Sequence, residues 1–243
     1  MPEGPPPAIA VPGADLGDAD AAARRALRVQ MLATEHWSLL ATRSLSWNEA
    51  FARASMFLSL LSGAIVALAL VAQATAFGEG FVLFALLTLP VVLFVGLTTF
   101  VRLLEINNED YVWVRGMNRL RGAYLEIDPG LAPYFITGTT EGAADIFKTF
   151  GSEDQSNLDS GVFHGFVTTP ATIGFVDAMV AAVLAAIVVV QLNLAMTSAA
   201  AVGVVAFLLT FAALGFFAYR SQAMAALSME MIRNRPPSDT PKG

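Results

Sequence analysis

No charged residue occurs between Arg53 and Glu79 or between Glu79 and Arg102, and the stretch from Asp177 to Arg220 is charge-free over enough length to cross a bilayer twice. A spanning helix needs about 20 consecutive, mostly apolar residues. The pattern therefore predicts four spans, at 54–76, 82–102, 172–193 and 198–219. Phe77-Gly78-Glu79-Gly80-Phe81 offers two glycines for a tight reversal between the first two, flanked by aromatics of the kind that settle at a membrane interface. Asn193 to Ser198 is the polar interruption between the last two. The expected fold class is all-α, with two transmembrane helical hairpins carrying cytoplasmic helical extensions. Pro90 removes a backbone donor inside the second span and is expected to kink it.

The polar positions have their own periods. Asp18 and Asp20 place negative charge where a helix begins, and a helix-forming segment runs from there to about Arg43. Ser46 and Glu49 have capping-box spacing, which predicts that a second helix restarts at Ser46 and runs into the first span. Trp37, Leu40, Ser44, Trp47 and Phe51 alternate by three and four, so Trp37 and Trp47 are candidate interface anchors on one face. After the second span, Leu103, Ile106, Asp110, Trp113, Met117, Leu120, Tyr124 and Ile127 keep the same alternation. That is a coiled-coil-like seam. It predicts one helix continuing out of the second span to the stop at Asp128-Pro129-Gly130, packed on the N-terminal helix or on a second copy.

The stretch 129–170 reads as loop around a short helix near 141–150. The resulting organisation is a tail (1–17), an interfacial helix (18–50), a first hairpin (51–103), a cytoplasmic helix and loop (104–170), a second hairpin (171–220) and a C-terminal tail (221–243).

Composition and charge then give sidedness. The chain is 56% hydrophobic and 14% charged, with a mean hydropathy of +0.61, outside the range of ordinary soluble domains. Its 14 Lys and Arg all precede the first span, lie between the hairpins or follow the last span. The positive-inside rule makes that side the cytoplasm, so both termini are expected inside an inner (plasma) membrane. The first fifteen residues lack both a basic and an apolar signal region, so the first span is expected to act as its own anchor. The outer face is two short turns, which leaves no room for an extracellular protein partner. The net charge of −6 argues against nucleic acid.

Catalytic and cofactor signatures are missing from the pattern. No nucleotide-binding glycine loop or nucleophile elbow occurs. Glu35-His36 lacks a second His one turn on, position 40 being Leu, so no zinc site is expected there. Glu153, Asp154, Asn157 and Asp159 resemble calcium ligands in type but not in spacing. No cofactor and no metal are expected.

Three groups of residues carry candidate chemistry. Asp177 is the one ionisable residue inside a span, and intramembrane carboxylates mark ion or proton paths. Counted from the outer turns it lies level with Ser59, Ser62 and Thr98, while Arg53, Arg102 and Arg220 lie about 7 Å or more toward the cytoplasm at 1.5 Å per residue. Ser, Thr or water are therefore its expected partners, or it is an interfacial residue at the start of its helix. Glu105 and Glu109, with Asp110, would form an acidic ring at the mouth of an oligomeric pore, or pair with Arg102 on a solvated face. Ser55, Ser59, Gly63 and Ala67 on the first span, and Ala178, Ala182 and Ala186 on the third, form small-residue faces for close helix packing.

The runs "EHWSLLATRSLSWNEAF", "FVRLLEINNEDYVWVRGMNRLRGAYL" and "LAPYF" resemble an uncharacterised family of bacterial multi-pass membrane proteins, over roughly residues 30–135. The resemblance implies a four-span membrane protein and no particular activity. The order of N-terminal helix, two-span hairpin and cytoplasmic helix is also loosely similar to the pore-forming SLATT effectors, from which the second hairpin departs. Two functions follow: a non-enzymatic homo-oligomer forming a pore or scaffold in the bilayer, or an inner-leaflet transporter or enzyme using Asp177 and His164.

Overall fold

The computed structural model describes residues 15–150 and 168–233. Its regular elements are all helical: α1 (Asp15–Thr75), α2 (Glu79–Ile127), a 3-10 turn (Pro129–Tyr134), α3 (Ala143–Thr149), α4 (Thr169–Gln191) and α5 (Met196–Arg233). Four of them, α1, α2, α4 and α5, are long and apolar enough to cross a membrane. Glu153, Asp154, Asn157, Asp159 and His164 lie outside the described residues.

The first correction concerns Ser46. α1 runs through it without interruption. A capping box acts only where the backbone has already left the helix, and nothing in Ser44-Leu45-Ser46-Trp47 forces an exit: neither Gly nor Pro is present, and Ala50 four residues on is buried in the core. Continuing the ladder satisfies Ser46's neighbours at no cost. At the other end of the chain α5 runs to Arg233. Pro90 sits inside α2, which is helical on both sides of it.

The turn between α1 and α2 forms where expected but by other means. Ala76 and Phe77, not the glycines, take left-handed φ values of 47° and 58°. Phe77 N–H donates to Ala72 O at 3.2 Å and Gly78 N–H to Thr75 O at 2.9 Å, closing the last turn of α1. Gly78 is needed for clearance instead: a Cβ there would stand 2.9 Å from Thr75 O. At the other turn Asn193 takes φ 56°, a conformation Asn tolerates well.

The chain divides into two compact units: Met1–Thr42 with Trp113–Glu153, and Arg43–Val112 with Asp154–Gly243. The second unit holds the apolar core. Ala50, Ala54, Phe57 and Ala64 of α1 meet Ala85, Leu89, Val92 and Phe100 of α2, with Ile173 and Val180 of α4 completing the cluster. Small residues on α1 let the larger α2 side chains sit between the helices. α4 and α5 also approach closely, because a Cβ on Gly203 would meet Ala182 O at 3.3 Å and Ala186 Cβ at 3.5 Å.

Ion pairs fix the register of α1 on α2 within this unit. Arg43 grips Asp110 with two bonds, Nε to Oδ1 at 2.6 Å and Nη2 to Oδ2 at 3.1 Å. Six residues along α1, Glu49 receives Arg102 at 3.0 and 3.1 Å. As the α1 partner advances the α2 partner retreats, so the two helices run antiparallel here.

The first unit is the seam and its loop. Met117 and Val114 are buried, and Leu39 of α1 fills the space above Gly116, 3.0 Å from where a Cβ would stand. His36 stacks on Tyr124, whose other neighbour is Phe135, at centroid distances of 6.1 and 6.4 Å. The seam is thus met by α1 of the same chain. Burial, and then the charge of Arg121, lower the His36 pKa below its usual value, which keeps the stacked ring neutral. Asn118, fully buried, organises the loop: its amide donates to Thr140 O at 3.2 Å and its carbonyl accepts from Arg121 and Thr149 at 2.8 and 2.9 Å. Arg115 adds an ion pair to Glu141 at 2.7 Å. Asp145 accepts from the Thr140 and Thr139 backbone at 2.7 and 3.2 Å. Bonds from Thr140, together with that of Thr139 and the charge of Lys148, hold its carboxyl below the ordinary range.

Candidate functional site

α4 starts at a side-chain cap. Thr168 is the N-cap, its hydroxyl accepting from Ala171 N at 3.4 Å, with Pro170 in the first turn. The second turn brings Gly174 against the Phe100 ring, 3.1 Å from where a Cβ would be, so α4 lies close on α2. Less than one further turn places Asp177 at the same contact.

There the side chain is completely buried, and neither carboxylate oxygen has a hydrogen-bond partner among the described residues. Its surroundings are Gly96 of α2 and Phe57 of α1. A Cβ on Gly96 would fall inside the contact distance of Asp177 Oδ1 and 2.9 Å from Phe57 Cε2. The carboxyl group occupies the notch that the missing side chain of Gly96 leaves open.

The Ser and Thr partners expected for Asp177 are engaged elsewhere. Ser59 donates to Ser55 O, Ser62 to Leu58 O, and both Thr98 and Thr99 to Val95 O, at 2.8–3.0 Å. Each hydroxyl turns back on its own helix, as Ser and Thr do in apolar surroundings. Gly96 and Phe57 were not singled out by the sequence pattern. The signal available was an isolated Gly inside an apolar helix, which implies close approach of another element.

Glu105 and Glu109 gather on Arg102, whose Nη1 lies 3.1 and 3.2 Å from them, and Arg102 also holds Glu49. Arg53 adds a second bond to Glu49 at 2.8 Å. Asp110, the third acidic residue of the expected ring, is buried on Arg43. The i,i+3 pairing of Arg102 with Glu105 is therefore present, inside a wider network.

The bonds from Arg102 and Arg53 hold the Glu49 carboxyl down to about 2, against an ordinary value of 4.5. With a depressed folded value, its contribution to stability is in force above 4.5 and is lost as pH falls from there through about 2. Glu49 should therefore remain ionised between those values in a carbon-13 titration of glutamate-labelled protein. A Glu49 signal that titrates at the position of free glutamate would disprove the network.

The small-residue faces separate into two kinds. Ala178 is fully buried, and Ala182 is partly buried with its carbonyl against Gly203 of α5. On α1, Ser55, Ser59 and Gly63 are exposed, Ala67 is half-buried, and nothing lies within 4 Å of a Cβ placed on Gly63. Of the two aromatic anchors, Trp37 is 71% exposed while Trp47 packs against the core beside Phe51. Among the described residues no three His, Asp or Glu gather as a metal would require.

The arrangement defines an all-helical protein with four helices suited to crossing a membrane and a buried carboxylate where three of its helices meet. Comparison with family models, curated proteins and solved structures gives no match, so function is argued from these residues alone.

Proposed function

We propose that the chain is an integral protein of the inner (plasma) membrane, with two transmembrane hairpins, both termini and residues 104–170 in the cytoplasm, and several copies assembled into a non-enzymatic, pore-like or scaffolding unit. The observation that carries this reading is how little apolar surface the spans cover for one another. Leu58, Ile65 and Val66 of α1, Leu87, Val91 and Phe94 of α2, and Val204, Leu208 and Leu209 of α5 are all exposed. An apolar surface of that extent calls for lipid or a partner. The outward Ser55, Ser59 and Gly63 supply a face on which another copy's helix backbone can come close.

A second reading, proton-linked transport at the inner leaflet, is favoured by Asp177, buried without a partner within the packing of one chain. In that position it faces helices of its own subunit, where transport couples to helix movement more directly than to a central pore.

The chain has no Cys, so single cysteines report topology cleanly. Cysteines replacing Glu79 and Thr197 should label from outside intact cells and one replacing Tyr134 only after permeabilisation; the reverse pattern would refute the topology. In mild detergent the particle mass should be a multiple of 25.7 kDa, reduced by Gly63→Leu. A monomer at all concentrations would remove the oligomeric pore.

A further inference from the structure

Among the described residues Asp177 is buried with no hydrogen-bond partner. α4 carries no other ionisable residue along Thr169–Gln191. On α1 the nearest charged residue to the contact is Arg53, which holds Glu49; on α2 it is Arg102, which holds Glu49, Glu105 and Glu109. Arg220 is the first charged residue of α5 along its span. Arg53 is four residues from Phe57 and Arg102 six from Gly96, distances of about 6 and 9 Å along a helix at 1.5 Å per residue. None of them hydrogen-bonds to Asp177.

An ionised carboxylate in that notch would be a buried charge without a donor, an arrangement that native interiors avoid. The neutral acid, in contrast, gives up only the hydration of an uncharged polar group, a far smaller cost. Gly96 shapes the notch so that the carboxyl packs directly on the α2 backbone, leaving no space for a water shell unless α4 and α2 separate.

We propose that Asp177 is a proton-binding site whose occupancy controls the packing of α4 on α2. In the closed arrangement the acid form sits on Gly96. When the O–H bond breaks, the proton passes to water, the electron pair stays on the carboxylate, and the helices part far enough to hydrate it. Proton binding reverses the step. The inference rests on α4 lying within the membrane and applies to the pore and to the transporter alike, as the device that would open either.

The test uses the full chain in liposomes with one cysteine at Ile173, one helical turn before Asp177 and buried in the cluster that joins α4 to α2. The rate of labelling by a small water-soluble thiol reagent is measured from pH 6 to pH 9 and divided by the rate in the Asp177→Asn background at the same pH. That ratio cancels the thiol's own pH dependence. It should rise at least tenfold with pH. A ratio near one throughout would overturn the proposal, and so would a ratio that follows sodium concentration at fixed pH, which would assign a cation site instead. Should Asp177→Asn not fold, the parent labelled with carbon-13 aspartate should show a carboxylic-acid carbonyl band in the infrared that disappears on alkalinisation; its absence at every pH would be equally decisive against. Labelling at the Glu79 and Thr197 positions in the same liposomes shows separately whether the membrane topology holds.

Discussion

Replacing Arg43 with Ala will destabilise the protein by about 3–5 kcal/mol, the cost of leaving a buried ion uncompensated. Asp110 is 1% exposed and interrupts an otherwise apolar seam. Its two oxygens are both taken by Arg43, in the forked geometry that only a guanidinium offers. Arg43→Lys should recover only part of the loss, since an ammonium cannot make the paired bonds. Removing both charges is the informative control. In Arg43→Met with Asp110→Leu the seam becomes continuous, and stability should return to within about 1 kcal/mol of the parent or exceed it, because a buried pair seldom outperforms well-packed apolar residues. Denaturant unfolding in micelles measures all four proteins. An Arg43→Ala protein within about 0.5 kcal/mol of the parent, the range of inert surface changes, would show that water already reaches Asp110.

Gly96→Ala is the second large effect, and its sign separates local from tertiary control. By helix propensity alone Ala should gain about 1 kcal/mol over Gly. The added methyl, however, collides with Asp177 Oδ1 and stands 2.9 Å from Phe57 Cε2, where neither group has room to retreat. Overpacking of this kind costs about 1–3 kcal/mol, so the net result should be destabilising, and Gly96→Leu should fail to assemble. Shortening the opposing side chain relieves the collision. Gly96→Ala combined with Asp177→Ala should therefore be more stable than the sum of the single changes by about 1–3 kcal/mol, the coupling expected of residues in direct contact. Gly215→Ala in α5 serves as the reference, since a Cβ there meets nothing within 4 Å and only the propensity gain remains. If Gly96→Ala unfolds no more easily than Gly215→Ala, the notch is looser than its geometry implies.

Several features of the molecule are local and could be read along the chain. Four helices suited to crossing a membrane follow from runs of apolar residues, because transfer into a bilayer sums over one stretch and needs no knowledge of its neighbours. The end of α2 at Asp128-Pro129-Gly130 and the left-handed Asn193 are equally local. So is the seam from Leu103 to Ile127, since its three-four alternation is a property of one helix. Where local signals competed, one of them misled: the capping box at Ser46 is a valid start signal that the continuing helix overrides.

What the chain alone left open were pairings between distant residues. Arg43 and Asp110 are 67 positions apart, and Glu49 and Arg102 are 53 apart; which charges meet depends on the register in which α1 lies along α2. The same holds for Asp177. Sequence marked it as the one ionisable residue of its span and set it level with Ser59 and Thr98, each two residues from the Phe57 and Gly96 that it meets. Only the packing of three helices decided that it would meet a ring and a bare backbone, while the hydroxyls of Ser59, Ser62, Thr98 and Thr99 turn back on their own helices. Hydropathy is additive along a chain and so is legible there. The partner of a buried charge is set by register and closeness of approach between separate helices, and those exist only once the helices have packed.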